Sequence, residues 1–489
     1  MMMNNFIAIA PELFLFVWIC FLLITDLFTR DRSFIHFGSL VGLLALTGLS
    51  VGFISAGTNM TAFGGSFTND YLANLLKIGA YVATFITLVM GRRYLEDRGL
   101  AKGDYYALAL CALLGQMIMV SASNLLTVYL GLELMSLALY ALVAFHRDDQ
   151  RATESAMKYF VLGALASGFL LYGISMLYGA TASFDLATIA KVISTGKANT
   201  TVLIFATVFI VAGLAFKFGV APFHMWVPDV YQGSPTAVTL LLAGAPKIAA
   251  LGITLRVLVE GLQGVAVDWQ PMLWFVAVFS LVIGNLTAVM QTNLKRMLAY
   301  STISHMGFVV LGLSAGVVNG NNLNAADAYS ASVFYMLTYV VTTLGTFGLV
   351  LVLAHKGFEA ETIGDLKGLF NRRPALAWLM LVLMFSLAGV PPTVGFFAKL
   401  AVLQALISAG LIWLAVIGVL ASLVGAFYYL RVVKAMFFDE PAADAPPVLA
   451  GQGTLAVLGV TAAASLVLGL IPGPLLNLSK AAMTAFLGG

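Results

Sequence analysis

Charge is what this sequence has least of. Asp, Glu, Lys and Arg together make up 10% of its 489 residues, against roughly 25% in soluble domains, while 61% of the chain is hydrophobic. A fold that keeps its surface in water is excluded. Cysteine is nearly absent: Cys20 and Cys111 lie in separate apolar runs, too few for a disulfide framework or for the thiolates of an iron–sulfur cluster. There is no basic tract, and a net charge of +3 is spread over short loops, so nothing points to nucleic acid. Also lacking are a GxxxxGKS/T loop, a GxGxxG opening a helix and an HExxH pair. The longest segments between apolar runs, 56–73, 180–199 and 355–374, are too short for a soluble catalytic domain. Nucleotide chemistry is therefore not expected on this chain. The start, MMMNNFIAIAPELFLF, lacks a basic region and a small-residue cleavage site, so the first apolar run reads as a retained span and not a cleaved signal.

What the sequence does have is apolar runs. Reading runs of about 20 residues as membrane helices gives fourteen spans, and hence an all-α polytopic membrane protein embedded in the lipid bilayer. The 47 Gly and 34 Phe suit close helix packing in lipid. Basic residues in short loops mark the cytoplasmic side. With fourteen spans most Lys and Arg, among them Arg92, Arg93, Arg147, Arg296, Arg372 and Arg373, fall on one side. Only Lys77, Lys191, Lys197, Arg256 and Lys480 fall on the other, which places both termini outside.

An internal echo organises these spans. Gly219-Val220-Ala221-Pro222 interrupts the seventh and Gly389-Val390-Pro391-Pro392 the twelfth. They are five spans apart, and an odd offset reverses orientation. Helices 4–8 and 9–13 therefore read as two inverted five-helix repeats, with helices 7 and 12 broken, a pattern that marks a transport site. The corresponding division is 1–103 for the first three spans, 104–260 for the first repeat, 261–440 for its inverted copy and 441–489 for the last span.

Ionisable residues within the spans are costly, roughly 2.5–3.5 kcal/mol each on insertion scales, and normally mark an ion path. Lys217, Lys247 and Lys399 fall in the seventh, eighth and twelfth spans; the alternative is that each snorkels to a headgroup. Glu133 is the carboxylate deep within a span, and a lysine paired with it would hold or release a proton as the pair closes or opens. A static bridge between helices is the competing reading. Glu154 and Lys158 stand four apart in the order that favours a helical ion pair, either as a proton entry or as a surface pair. His224, just past Pro222, reads as a proton relay or as an interfacial histidine without a role. His305 reads as a relay or as a hydrogen-bonded core histidine. Asp229 and the Tyr231-Gln232-Gly233 turn read as loop capping. A proline removes a backbone donor, and irregular backbone at membrane depth needs protein or water around it, so the two breaks would admit water to the lysines.

Three stretches, FKFGVAPFHMWVPDVYQGSPTAVT from 216, TNLKRMLAYSTISHMG from 292 and SLAGVPPTVGFFAK from 386, resemble the antiporter-like membrane subunits of respiratory complex I. PDVYQGSPTAV brings the resemblance closest to the subunit N branch of bacterial NADH-quinone oxidoreductase. The resemblance implies proton translocation coupled to quinone reduction in neighbouring subunits. It assigns Glu133 and Lys217 to a fifth-helix and seventh-helix pair, Lys247 to the central lysine, Lys399 to the exit, and Glu154, Lys158 and His224 to positions with the same residue types. His305 becomes a link between Lys247 and Lys399. It implies no cofactor on this chain, with NADH, FMN, iron–sulfur clusters and quinone used by the whole complex. Other membrane-arm subunits would be its partners, in the bacterial inner membrane. A stand-alone cation/proton antiporter component, or a structural subunit that only transmits conformational change, are the competing functions.

Overall fold

The computed structural model describes residues 2–29, 32–441 and 452–488; residues 442–451, which open the last of the expected segments, lie outside them. Thirteen helices are long and apolar enough to cross a membrane. Two shorter apolar helices, Pro374–Ala388 and Val394–Ser408, are the halves of the broken twelfth span and complete the expected set. In chain order the unbroken spans are Ala10–Phe28, Arg32–Ser55, Tyr71–Asp97, Gly103–Ser121, Leu125–Val143 and Gln150–Thr181, which precede the seventh, and Ala266–Met290, Leu294–Ser314, Ala325–Leu353, Ile412–Phe437 and Gln452–Leu470. The seventh is split into Thr200–Phe218 and Trp226–Gly233. The eighth runs Thr236–Ala243, kinks at Gly244, and continues through Ala245–Thr254 into a widened turn, Leu255–Gly261.

Polar caps fix where many spans begin. Asp70, Asn124, Asp149, Asn199 and Asn293 each accept a hydrogen bond from a backbone N–H of the first turn, satisfying donors that have no partner inside the helix. The 56–73 connection is more ordered than a loop: Met60–Ala62 pairs antiparallel with Phe67–Asn69, Met60 opposite Asn69. A short helix, Leu186–Ser194, lies in the 180–199 connection. After the fourteenth span a further helix, Gly473–Gly488, packs on the third and eleventh spans.

The eighth, tenth and eleventh spans are buried almost throughout, whereas the first, second and fourteenth are the most exposed. The eighth and tenth carry Lys247 and His305, so two of the expected site residues lie on the most deeply buried helices. Two expectations are corrected here. Lys77 is not in an outer loop: the Asp70 cap starts the third span early enough that Lys77 lies inside it with a fully buried side chain. Asp229 does not cap a loop, because Trp226–Gly233 is a helix and Asp229 sits in its first turn.

Candidate functional site

The two breaks are built alike. Each first half ends at a glycine in the left-handed region, Gly219 at φ 73° and Gly389 at φ 85°. The N–H groups of Gly219 and Val220 both reach back to Ala215 O, and those of Gly389 and Val390 to Phe385 O. This is the Schellman arrangement, in which a residue free of a Cβ reverses the chain. It leaves the last carbonyls of each half-helix pointing away from any backbone donor. A lysine from elsewhere takes them. Lys247 Nζ donates to Phe218 O at 2.8 Å, and Lys399 Nζ donates to Leu387 O at 3.1 Å and Ala388 O at 2.9 Å. A cation at a helix C-terminus also meets the negative end of the helix dipole. Both ammonium groups lie over an aromatic ring, Lys247 over Trp226 at 5.1 Å and Lys399 over Phe308 at 5.5 Å, within the range of a cation–π contact. Trp226 is held by its own Nε1–H on Phe216 O, 3.0 Å.

Lys217 lies in the last turn of the first half of the seventh span and is buried. Its Nζ donates to Ser136 Oγ at 2.8 Å. Glu133, one turn earlier on the same fifth span, accepts a short hydrogen bond from Ser167 of the sixth. Glu133 and Lys217 are neighbours through Ser136, but among the described residues Glu133 makes no ion pair. The direct Glu133–Lys217 pair that the sequence suggested is not formed in this structure.

Glu154 and Lys158 form the expected i,i+4 pair at 2.8 Å, with both side chains exposed. Lys158 also reaches Asp229 at 3.0 Å, and Asp229 binds Arg296 at 2.7 Å. Arg296 continues to Gln232. Asp229 thereby ties the sixth and tenth spans to the second half of the seventh. The sequence held the signal, an aspartate in a helical stretch beside Pro228, but its partners lie far away in the chain. His224 is half-buried in the break, with Nδ1 unpartnered among the described residues.

His305 lies between two tyrosines. Its Nδ1 is 2.8 Å from Tyr335 Oη and its Nε2 3.0 Å from Tyr429 Oη, and Tyr429 also bonds Ser301. Tyr339 lies beside the ring, tilted by 35° with centroids 5.0 Å apart, and bonds Thr302 at 2.8 Å. Phe308, under Lys399, is one turn from His305, which joins the histidine to the Lys399 end. Among the described residues no hydrogen bond or ion pair joins it to Lys247. Tyrosines on the eleventh and thirteenth spans went unnoticed in the sequence because aromatic residues are common in every span. Among the described residues no three of His, Cys, Asp and Glu converge as a metal site.

Residues 122–425 match the profile of the family described as "NADH:quinone oxidoreductase/Mrp antiporter, TM". The chain is 58% identical over 485 residues, 98% of each chain, to NADH-quinone oxidoreductase subunit N of Herminiimonas arsenicoxydans. It is 48% identical, covering 99% of this chain and 98% of the relative, to subunit N of Nitrosomonas europaea. Among solved structures, a chain of respiratory complex I from Thermus thermophilus superimposes with TM-score 0.81 at 31% identity, covering 96% of this chain and 99% of that one. A chain of the Mrp complex from Dietzia superimposes at 0.86 with 21% identity, covering 100% and 98%, a likeness of fold alone. Fold and site together define an antiporter-like membrane subunit, with two broken helices and charged side chains inside the bilayer. The chain belongs to the subunit N family of the NADH-quinone oxidoreductases.

Proposed function

We propose that this subunit translocates protons across the bacterial inner membrane, coupled to quinone reduction carried out elsewhere in the complex, with other membrane-arm subunits as its lateral partners. The observation that carries the reading is the repeated lysine geometry: two buried amines, each bound to the open carbonyl end of a broken helix. A carbonyl ligand stabilises the ammonium yet leaves no counter-charge behind when the proton departs, so the same position serves both protonation states. Lys217 receives a proton when Glu133 is near and gives it up when Glu133 turns to Ser167. Lys247 and Lys399 carry it onward, with His305 and its tyrosines beside Lys399. Glu154 and Lys158 stand at the cytoplasmic end, and His224 lies in the first break. Residues 104–260 and 261–440 act as the two copies of the repeat, and both chain termini lie on the periplasmic side.

The test is Lys247→Ala in the assembled complex reconstituted in liposomes. Full assembly with proton pumping lost from NADH oxidation supports the reading; full pumping refutes it and favours a subunit that only transmits conformational change. Cation/proton exchange by the isolated chain without an electron donor would instead identify a secondary transporter.

A further inference from the structure

The lysine row is not the only buried charge in this chain. In the first three spans, outside the repeats, Lys77 and Glu12 form an ion pair at 2.5 Å with side-chain exposures of 0% and 8%. The pair differs in kind from the lysine row. Lys217, Lys247 and Lys399 end on a hydroxyl or on carbonyls, whereas Lys77 ends on a carboxylate, with the Phe67 ring 5.3 Å from its ammonium. Asp70, Asn74, Lys77, Tyr81 and Thr84 follow one another at spacings of four and three, which puts them on one face of the third span. They cover roughly 21 Å of its length at 1.5 Å per residue.

This stripe is polar, buried and short of partners. Glu12 Oε1 and Lys77 Nζ meet each other, while Glu12 Oε2, Asn74 Oδ1 and Thr84 Oγ1 have no hydrogen-bond partner among the described residues. Both amide atoms of Gln116 on the fourth span are likewise unpartnered among the described residues, whereas Ser50 of the second span bonds the Tyr81 hydroxyl. Buried polar atoms in folded proteins are almost always satisfied, by ordered water where the protein supplies nothing. One end of the stripe opens: Asp70 and Asn74 line a cavity of about 710 Å³ with Arg256, Glu260 and Tyr71. The opposite face of the third span, at Gly79 and Ala83, packs against Ile248 and Gly244 of the eighth, so helix backbone separates the stripe from Lys247.

We propose that Glu12 and Lys77 form a second, hydrated proton-binding site, separate from the lysine row and open to the cavity at the Asp70 end. A hydronium in the cavity water gives its proton to a Glu12 oxygen. The new O–H bond forms as the hydronium leaves as water, and the pair passes from neutral to a single positive charge, with Lys77 still an ammonium over Phe67. Release reverses each step. Asp70 and Glu260 share Arg256 at 2.7 and 3.2 Å, which leaves one carboxylate charge in excess at the mouth of the cavity, the sign that attracts a hydronium. This site goes beyond the function proposed above and does not depend on which residues of the lysine row carry protons.

The experiment is infrared difference spectroscopy on the assembled complex that contains this subunit, comparing wild type with Glu12→Gln. The expected result is a protonated-carboxyl band that grows as the pH of the medium falls, shifts in D2O and is absent from the variant. No Glu12-dependent band at any pH at which the complex stays assembled, or a band blind to D2O, would overturn the proposal and leave a static anchor. The double substitution Glu12→Met with Lys77→Met removes both charges while filling the space. It is expected to assemble, to lose the band and to pump fewer protons per NADH oxidised; unchanged pumping also overturns the proposal. Lys247→Ala is expected to leave the band intact, so failure of the lysine-row reading is told apart from failure of this one.

Discussion

Gly219→Ala tests whether the lysine geometry depends on the glycine that ends each half-helix. The substitution has two consequences. An L-residue at φ 73° costs about 1–2 kcal/mol. The new methyl would also lie 2.5 Å from Val227 Cγ2 and 3.3 Å from Lys247 Nζ, and relief of that contact moves the amine off Phe218 O. Loss of a charged, buried hydrogen bond costs about 1.5–3 kcal/mol. Gly410 supplies the control: it has φ 77° and nothing within 4 Å of the position of a Cβ, so Gly410→Ala carries the backbone cost alone. The assay is half-inactivation temperature and proton pumping of the reconstituted complex for both variants. Gly219→Ala is expected to be less stable than Gly410→Ala and to lose pumping, and Gly389→Ala, whose methyl would lie 3.2 Å from Lys399 Nζ, to behave like it. Equal stability and equal pumping of the Gly219 and Gly410 variants would refute the reasoning, because the carbonyl contact would then have no weight.

Ser136→Ala removes the hydroxyl that holds Lys217, at a cost of about 1–3 kcal/mol for a buried donor left open; pumping should fall while the assembled complex remains, and unchanged pumping would show that Lys217 does not need this partner. Asp229→Asn removes the charge that Lys158 and Arg296 share. Because all three side chains are partly exposed, the stability loss should stay near 1 kcal/mol or below, measured as a small fall in half-inactivation temperature that shrinks further in high salt. His305→Leu leaves Tyr335 Oη without its ring partner while Tyr429 keeps Ser301; the expected result is a stability loss of about 1–3 kcal/mol together with reduced pumping, and a variant that loses stability alone would mark His305 as a core residue only.

The span plan was legible because lipid makes length and apolarity nearly sufficient evidence of a crossing helix. The breaks were legible because Gly-Val-x-Pro cannot continue a helix. Lys217, Lys247 and Lys399 stood out as charges in apolar runs. The errors have one origin: a side chain's partner is a tertiary fact. Lys77 looked like a loop residue because its neighbours in sequence are mixed, and only the Asp70 cap and the Glu12 carboxylate, donated by another helix, show that it is inside. Asp229 looked like a cap because Lys158 and Arg296 are remote in sequence. The glycines at 219 and 389 were read as part of a break, while their closeness to the lysines depends on how the eighth span, and the second half of the twelfth, pack against those breaks. The helix at Gly473–Gly488 was missed because Pro472 and Asn477 dilute its apolar pattern.

The carbonyl ligation of Lys247 and Lys399 also makes the proposed path electrical. A lysine that takes up a proton there adds a positive charge that no carboxylate cancels, at a depth where the transmembrane voltage acts. A full crossing of that field is worth about 2.3 kcal/mol per 100 mV for each elementary charge, and a site part-way across feels the corresponding share. On the proposed path, occupancy of the two lysines would therefore track the voltage across the membrane, and an energised membrane would slow its own charging by biasing the same amines.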